Sequence, residues 1–153
     1  MLTAWRISKS RYATRAFDGE GARVYGGRWN SPGTRVAYAS ESVALATLEV
    51  LVGLQDTSLL ASYSLIKVQF GEDLVETVDR RRLPSSWNQH PPTPETQRIG
   101  DLWVAETRSA VLRVPSAVVE AEHNYLLNPA HERFDRIVLH RPTPFRLDSR
   151  LLR

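Results

Sequence analysis

Helix-like segments are few and unevenly spaced in this chain of 153 residues, and this limits the folds that it can adopt. Residues 41–52 follow a capping Ser40 and precede Gly53, and residues from 93 to about 109 carry Pro94 in their first turn. Both patterns predict helices. A doubly wound parallel sheet needs helices that alternate regularly with strands, and these do not. We therefore predict a mixed α+β chain that is richer in strand than in helix.

Strand-like segments are short, rich in β-branched or aromatic residues, and bounded by turn-forming residues. They cover residues 3–7, 35–40, 60–70, 74–79, 110–120 (two strands, broken at Pro115) and 136–147 (one or two strands). The intervening residues 8–34, 80–92 and 123–134 are predicted to be loops. The first loop contains five glycines, and a loop of this length inside a compact domain is often functional. We expect a single domain over residues 1–153.

The basic residues are unusual in kind, because only Lys9 and Lys67 among the 20 are lysines. The guanidinium of arginine is a planar fork that matches phosphate and carboxylate groups. Two explanations stay open for the arginine excess and the net charge of +3. One is ordinary solvated surface charge, and the other is an anionic ligand such as a nucleic acid, a nucleotide or an acidic protein.

Cysteine is absent, which excludes disulfides and thiolate chemistry and is compatible with a reducing compartment. The N-terminal residues lack the apolar stretch of a signal peptide. No run reaches the roughly 18 apolar residues that a membrane span needs. We therefore expect a cytoplasmic protein without a membrane partner.

A single carboxylate, Glu49, lies in the otherwise uncharged stretch VALATLEVLVGL of residues 43–54. Helical spacing gathers six residues on one apolar face: Val43, Ala44, Thr47, Leu48, Leu51 and Val52. Glu49 falls on the other, less apolar side, beside Leu45 and Ala46. Either it is a partly exposed acid without a role, or it is enclosed. An enclosed carboxylate needs a cation or several hydrogen-bond donors, because an unpaired buried charge is costly.

The loop before this helix offers a cation. Its sequence GGRWNSPG (26–33), called the glycine loop below, places Arg28 beside glycines that permit a close approach between backbone and ligand. Trp29 could pack in the core or stack on a ring. The glycine spacing matches neither a dinucleotide fingerprint nor a P-loop, and on its own the segment is equally compatible with a simple turn.

Metal and triad chemistry have little support in the sequence. The four histidines lack the paired spacing of a metal site: His90, His123, His131 and His140. Ser116, His131 and Asp135 could be drawn as a triad, but such a set arises easily by chance. The chain also lacks a G-x-S-x-G elbow. We expect no metal site.

Four ordered blocks resemble the RES domain family. They are WRI near the N-terminus, GGRWNSPGTRVAYAS at 26–40, ALATLEVLVGL at 44–54 and VPSAVVEAEHNYLLNPAH at 114–131. The family takes its name from an arginine, a glutamate and a serine, which match Arg28, Glu49 and Ser116 in this chain. The resemblance implies a fold similar to that of ADP-ribosyltransferases of the diphtheria-toxin type.

RES domains are toxins of type II toxin–antitoxin pairs, usually encoded beside an Xre-like helix-turn-helix antitoxin. The resemblance therefore implies NAD as a substrate, with no permanently bound cofactor. It implies cleavage of NAD by hydrolysis, by phosphorolysis or by ADP-ribosyl transfer to a protein. It also implies a cognate Xre-like antitoxin as partner, and contact with nucleic acid only through that antitoxin.

The resemblance also implies roles for individual residues. Cleavage of the nicotinamide–ribose bond gives the ribose oxocarbenium character, and Glu49 beside the sugar would stabilise it. Arg28 and Arg6 are expected to hold the pyrophosphate or the ribose face. The Tyr38 ring is expected to stack on the cationic nicotinamide. Structural alternatives stay open, because Arg6 could simply pair with Glu49 and Tyr38 could be a core residue.

The C-terminal block supplies further candidates. Ser116 is expected to hydrogen-bond the nicotinamide amide or a phosphate, although it could instead form a turn after Pro115. Asn124 and Asn128 are expected to order their loop first and to contact the ligand second.

Two other functions stay open. An arginine-rich module that stops growth by binding nucleic acid would lose affinity steeply with salt. Against it, DRRRLP (79–84) is the one basic cluster in the sequence. A non-enzymatic partner of an antitoxin would have a degenerate pocket, whereas Arg28 and Glu49 are both present.

Overall fold

The structure, a computed structural model, describes residues 1–54 and 61–152. Within these residues eight strands form one sheet. The strands are β1 (Leu2–Lys9), β2 (Ala37–Ser40), β3 (Tyr63–Phe70), β4 (Val75–Thr77), β5 (Val111–Pro115), β6 (His123–Leu127), β7 (Val138–Leu139) and β8 (Thr143–Phe145). The helices are α1 (Glu20–Tyr25), α2 (Val43–Val52) and α3 (Pro94–Ala105). The predicted strand-rich α+β class is confirmed.

The sheet has the strand order β4-β5-β6-β2-β1-β3-β7, and β8 also pairs with β3. Strands β4 and β5 are parallel, and the other pairs are antiparallel. This order places β2 between β1 and β6. Ser40 at the end of β2 therefore lies opposite Trp5 on one side and Asn124 on the other. The strand pairing thus fixes two polar residues, Ser40 and Asn124, side by side at the centre of the sheet.

The two faces of the sheet bury different sets of side chains, because successive strand residues point to opposite sides. On β2, Ala37 and Ala39 enter the largest apolar cluster, which also contains Val68 of β3. Tyr38 lies on the other face. That second face carries two smaller clusters, one around Trp103 of α3 and one where α2 covers β1. The polar pair on β2 and β6 lies on this second face.

Helix α2 packs its less apolar side against the sheet. Leu45 and Ala46 are 1% and 3% exposed, and Ala46 shares a cluster with Ile7 of β1. The six-residue apolar face of the helix points outward, and its Val52 is 67% exposed. The side that carries Glu49 is therefore the one that faces the protein. The number of apolar residues on each side of α2 does not predict which side is buried, because packing against the sheet decides it.

The start of α2 differs from the prediction. Ser42, not Ser40, caps the helix, and its hydroxyl accepts a hydrogen bond from the Leu45 amide at 3.0 Å. Ser40 stays in the sheet because strands on both sides pair with it. The predicted cap residue is therefore a strand residue.

Two predictions in the C-terminal block are wrong. Residues 123–127 form β6 rather than a loop. Four consecutive residues of this strand are buried, so it lacks the alternation of apolar and polar residues by which strands are usually found. The second strand predicted after Pro115 is a turn instead, closed by the side chain of Ser116.

Smaller differences concern element ends. Helix α1 lies in the loop predicted over 8–34, and its six residues are too few to show a helix period. Helix α3 ends at Ala105 rather than near residue 109, because Thr107 takes a positive φ of 48°. Residue 60 of the strand predicted over 60–70 lies outside the described residues. None of the helices in the described ranges is both long and apolar enough to cross a membrane.

Gly100 allows α3 to touch the glycine loop directly. A Cβ at this position would overlap the main-chain carbonyl oxygen of Trp29. A backbone atom cannot move aside as the end of a flexible side chain can. The contact therefore fixes how closely α3 and the glycine loop approach each other.

We predict that Gly100→Ala destabilises the fold by about 1–3 kcal/mol, although alanine is the better helix former. Gly21→Ala in α1 is the matched control, because nothing lies within 4 Å of a Cβ at that position. Denaturant titration measures the free energy of unfolding of both variants. Equal stabilities would contradict the close contact between Gly100 and Trp29.

Candidate functional site

The carboxylate of Glu49 is held by donors that come from the sheet. Its Oε2 accepts a hydrogen bond from Asn124 Nδ2 of β6 at 2.8 Å. The side chain of Ser116, in the turn after β5, lies close enough to the carboxylate to lower its pKa. Glu49 is half-buried, so part of its side chain stays accessible. The acid of the apolar helix is therefore enclosed and satisfied rather than solvated.

The hydroxyl of Ser116 closes the turn after β5. Ser116 is buried, and its Oγ accepts hydrogen bonds from the amides of Val118 and Val119, each at 3.0 Å. These two bonds occupy the lone pairs of the oxygen, so its hydroxyl can act on Glu49 only as a donor. Ser116 therefore forms the turn and also lies near the carboxylate.

Asn124 presents its amino end to Glu49 while its oxygen is bonded elsewhere. Ser40 Oγ donates to Asn124 Oδ1 at 2.7 Å, and both residues are buried. The expectation that Asn124 orders a loop is wrong, since the residue lies on β6. Asn128 does order the turn after β6, because its Oδ1 accepts from the Ala130 amide at 3.0 Å.

Arg28 of the glycine loop lies near Glu49 and bonds to neutral groups. Its Nη1 donates to the main-chain carbonyls of Trp87 and Gln89 at 3.0 and 2.6 Å. The charge of Glu49 acts on the guanidinium through space. Carbonyl partners orient the guanidinium without neutralising it, so its positive charge remains available to an anion.

Tyr38 ties the glycine loop to the sheet. Its hydroxyl donates to Asn30 Oδ1 at 2.6 Å and accepts from the Trp29 amide at 3.2 Å. Asn30 is fully buried, and its Nδ2 donates to the carbonyl of Ala22 at 2.9 Å. A Cβ at Gly27 would lie 2.8 Å from the Tyr38 hydroxyl oxygen, so only glycine leaves room for this approach. The ring packs beside an apolar cluster and is half-buried.

Helix α3 holds the glycine loop from the other side. Gln97 Nε2 donates to the Gly27 carbonyl at 3.1 Å. The carboxylate of Asp101 accepts from the amide and the hydroxyl of Ser31, at 3.0 and 2.5 Å. Side chains from β2 and from α3 therefore fix the segment that carries Arg28.

Arg6 of β1 lies beside Tyr38 rather than against Glu49. Its Nη1 donates to the Tyr38 carbonyl at 2.8 Å, and its guanidinium carbon lies 5.9 Å from the centre of the Phe17 ring. Its Nε is buried without a hydrogen-bond partner. The acid that acts on its charge is Asp18. The structure therefore offers no contact for the alternative in which Arg6 simply pairs with Glu49.

The environment shifts the ionisation of these groups. Burial raises the pKa of Glu49 above its ordinary value of 4.5, while the Asn124 hydrogen bond, the Arg28 charge and the Ser116 hydrogen bond partly offset this rise. Burial lowers the pKa of Arg28 and raises that of Tyr38. At neutral pH Arg28 is still protonated and Tyr38 keeps its proton. Of these three groups, Glu49 is the one whose ordinary pKa lies in the acidic range.

Three residues of this site were missed in the sequence: Ser40, Asn30 and Asp101. Ser40 satisfied the rule for a helix cap, and that explanation hid its role in the sheet. Asn30 carried a usable signal, because it is a polar residue inside the glycine loop. Asp101 carried none, since its partner Ser31 lies 70 positions away.

Other features of the described residues lie away from this site. A cavity of about 790 Å³ is bordered by β3, β8 and the residues after β8, and contains none of the predicted site residues. No group of three or more His, Asp or Glu side chains in the described ranges could hold a metal ion. Many arginines are paired with acids of the same chain: Arg23, Arg35, Arg81, Arg108, Arg136 and Arg150. These pairs account for part of the arginine excess.

Comparisons with known proteins identify the family of the chain. The sequence profile of the RES domain matches residues 3–148. The chain belongs to the RES domain family. The chain is 38% identical to a protein named Toxin Res from Photorhabdus laumondii over 153 residues, which cover 99% of this chain and 98% of that protein.

A second relative of this RES domain carries a different name. It is the Prs ADP-ribosylating toxin of a Sphingobium species, 33% identical over 154 residues, which cover 97% of this chain and 96% of that protein. Among solved structures, the M. tuberculosis MbcT–MbcA toxin–antitoxin complex contains a chain with a TM-score of 0.77 to this RES domain. The match covers 94% of this chain and 84% of that chain at 22% identity, and it shows a shared fold.

The raised pKa of Glu49 predicts how the stability of this RES domain changes with pH. Well below its ordinary pKa of 4.5 the carboxyl is neutral in the folded and unfolded states alike, and it carries no ionisation penalty. As the pH rises, the unfolded state releases the proton first, so stability falls until the folded-state pKa is passed. We predict that Glu49→Gln is more stable than wild type at pH 7 and that the difference shrinks towards pH 4.

Denaturant titrations of both proteins between pH 4 and pH 7 measure this difference. Glu132→Gln is the matched control, because Glu132 is exposed and lies outside the helices and strands. A wild type that is more stable than Glu49→Gln at pH 7, or a difference that does not change with pH, would contradict an enclosed carboxylate.

Proposed function

We propose that this RES domain is the toxin of a toxin–antitoxin pair and that it cleaves the nicotinamide–ribose bond of NAD. The observation that carries this proposal is the half-buried carboxylate of Glu49, held by Asn124 and Ser116 with Arg28 nearby. The toxin names of the relatives support the toxin role. The name of the Sphingobium relative, which includes ADP-ribosylation, supports chemistry on NAD.

The chemistry requires a fixed negative charge beside the sugar. When the bond between nicotinamide and ribose breaks, its electron pair goes to the ring nitrogen, and nicotinamide leaves as a neutral molecule. Positive charge then develops on the ribose, and a carboxylate placed there stabilises it. The leaving group needs no proton, so one carboxylate is enough. Glu49 is the residue that we assign to this role.

The two arginines suit the anionic part of NAD. Arg28 donates to two neutral carbonyls, and Arg6 donates to the carbonyl of Tyr38 and retains a buried Nε without a partner. A buried guanidinium with neutral partners gains energy when a phosphate approaches. We therefore assign Arg28 to the pyrophosphate or the ribose face, and Arg6 to the same part of the ligand from the Tyr38 side.

Tyr38 and Ser116 complete the assignment. The hydroxyl of Tyr38 already makes two hydrogen bonds, so its contribution would come from the ring. An aromatic face suits the nicotinamide, which is cationic until the bond breaks. Ser116 lies near Glu49, and we assign its hydroxyl to the nicotinamide amide or a phosphate. Asn124 would then keep the carboxylate in place.

The acceptor of the ribosyl group is water, inorganic phosphate or a protein side chain. All three attack the same carbon and differ only in the product. In each case the acceptor supplies the electron pair of the new bond and finally loses a proton. The three acceptors therefore fit the same reaction scheme. The partner that restrains the toxin is proposed to be an antitoxin of the Xre-like helix-turn-helix type.

Release of nicotinamide from NAD by the purified chain tests the proposal. We predict turnover by wild type and a loss of about 10²–10³-fold for Glu49→Gln, the usual effect of removing one electrostatic contact to the transition state. Mass spectrometry of the products, with and without phosphate, identifies the acceptor. A folded wild type that releases no nicotinamide, either alone, with phosphate, or with a bacterial extract that supplies protein acceptors, would overturn the proposal. A Glu49→Gln variant as active as wild type would overturn the assignment of Glu49.

The role of Arg28 has its own test. Arg28→Lys keeps the charge but loses the planar fork, so a single nitrogen would have to hold both carbonyls and could not present a second nitrogen to an anion. We predict that its KM for NAD rises roughly 10–100-fold, the range for a lost hydrogen bond to a charged group. Arg98→Lys on the exposed side of α3 is the matched control and should behave as wild type. Equal KM values for the two variants would show that Arg28 does not bind NAD.

A further inference from the structure

The hydrogen bond between Asn124 and Glu49 forms in only one of the two orientations of the Asn124 carboxamide. The amino end attracts the carboxylate, whereas the oxygen end would repel it. The amino end lies 2.8 Å from Glu49 Oε2. The other end must therefore have a donor that holds it away from Glu49.

Ser40 supplies that donor. Its Oγ lies 2.7 Å from Asn124 Oδ1 and donates to it. Ser40 is 5% exposed and Asn124 is 6% exposed, so water has little access to replace this bond. A hydrogen bond received at the oxygen of a carboxamide also strengthens the bond that its amino group donates. The two bonds act in series from Ser40 to Glu49.

The backbone holds this series in place. Ser40 and Asn124 are directly opposite each other on β2 and β6, and Ser40 is also opposite Trp5 of β1. Ser40 is therefore fixed by strands on both sides, which gives its hydroxyl little freedom to find another partner. None of the roles assigned above under the proposed function uses this residue.

We infer that Ser40 is a positioning residue that keeps the amino end of Asn124 on the carboxylate of Glu49. This inference rests on the proposed function of Glu49 in NAD cleavage. Ser40 itself would not touch NAD, because Asn124 stands between it and Glu49. Its removal should weaken the Asn124 bond, favour the protonated carboxyl and leave substrate binding almost unchanged.

The pH dependence of nicotinamide release is the readout that a packing role would not move. The ionisable groups that act on Glu49 are Arg28 of the glycine loop and Tyr38 of β2. Both keep their protons in the acidic range. The acidic limb of kcat/KM therefore reports Glu49.

We predict that Ser40→Ala lowers kcat about 3–10-fold, the rate equivalent of one ordinary hydrogen bond. KM should change less than about twofold, because uniform binding is not affected. The acidic limb should move to higher pH by roughly 0.4–1 unit, since the carboxyl then holds its proton more tightly. Ser40→Thr keeps the hydroxyl and should restore the position of the limb.

Ser64→Ala is the matched control, because Ser64 is a buried strand serine of β3 whose hydroxyl bonds to Ser10 at 2.9 Å. It should leave the limb where wild type has it. If Ser40→Ala lowers kcat with no shift of the limb, or if Ser64→Ala shifts it equally, Ser40 is a packing residue and the inference is overturned.

Carbon NMR titration of the Glu49 carboxyl separates this inference from the proposed function. It needs no turnover, so it decides the role of Ser40 even if wild type releases no nicotinamide. A higher titration midpoint in Ser40→Ala than in wild type supports the positioning role of Ser40. An unchanged midpoint overturns it.

Discussion

The hydrogen bond from Asn124 to Glu49 joins helix α2 to the centre of the sheet. Without donors from the sheet, a carboxylate on the packed side of an apolar helix would be expelled to solvent or would carry a proton. A hydrogen bond to a charged group contributes about 1.5–3 kcal/mol, which is enough to decide the rotamer of a half-buried side chain. The orientation of the acid therefore depends on the strand order, because β6 must lie next to β2 for Asn124 to reach α2.

In the rest of the site, neutral groups orient the charged side chains. Arg28 and Arg6 are oriented by carbonyl oxygens, which fix a guanidinium without neutralising it. Tyr38 and Asp101 bond to the glycine loop itself, from β2 and from α3. Both guanidinium groups thus have neutral hydrogen-bond partners, while Asp18 acts on Arg6 and Glu49 acts on Arg28 through space. This preorganisation is what a site that stabilises developing charge requires.

Much of the fold could be predicted from local patterns, and the failures have physical causes. The strand-rich class follows from short strand-like segments, and the two longer helices follow from their capping and first-turn residues, although Ser42 rather than Ser40 caps α2. Strand β6 escaped detection because it is buried on both faces, and such strands lack alternation. The inward side of α2 could not be chosen by counting apolar residues, since an enclosed Glu49 belongs to the buried side. The structure brings Arg28, Tyr38, Ser116 and Asn124 to the surroundings of Glu49 and places Arg6 beside Tyr38. Ser40 was hidden by its likeness to a helix cap, and Asp101 acts over a sequence distance that no local pattern can show.

The charge on the ribose during bond cleavage is the most direct measure of the transition state that Glu49 is proposed to stabilise. Wild-type protein can be given NAD that carries deuterium or hydrogen at the ribose carbon bonded to nicotinamide, and the rates of nicotinamide release can be compared. We predict that wild type releases nicotinamide clearly faster from the NAD that carries hydrogen than from the NAD that carries deuterium, because the carbon becomes planar and positively charged beside the carboxylate. Equal rates for the two substrates under conditions where bond cleavage limits the rate, or no release of nicotinamide at all, would contradict a carboxylate that stabilises an oxocarbenium ion.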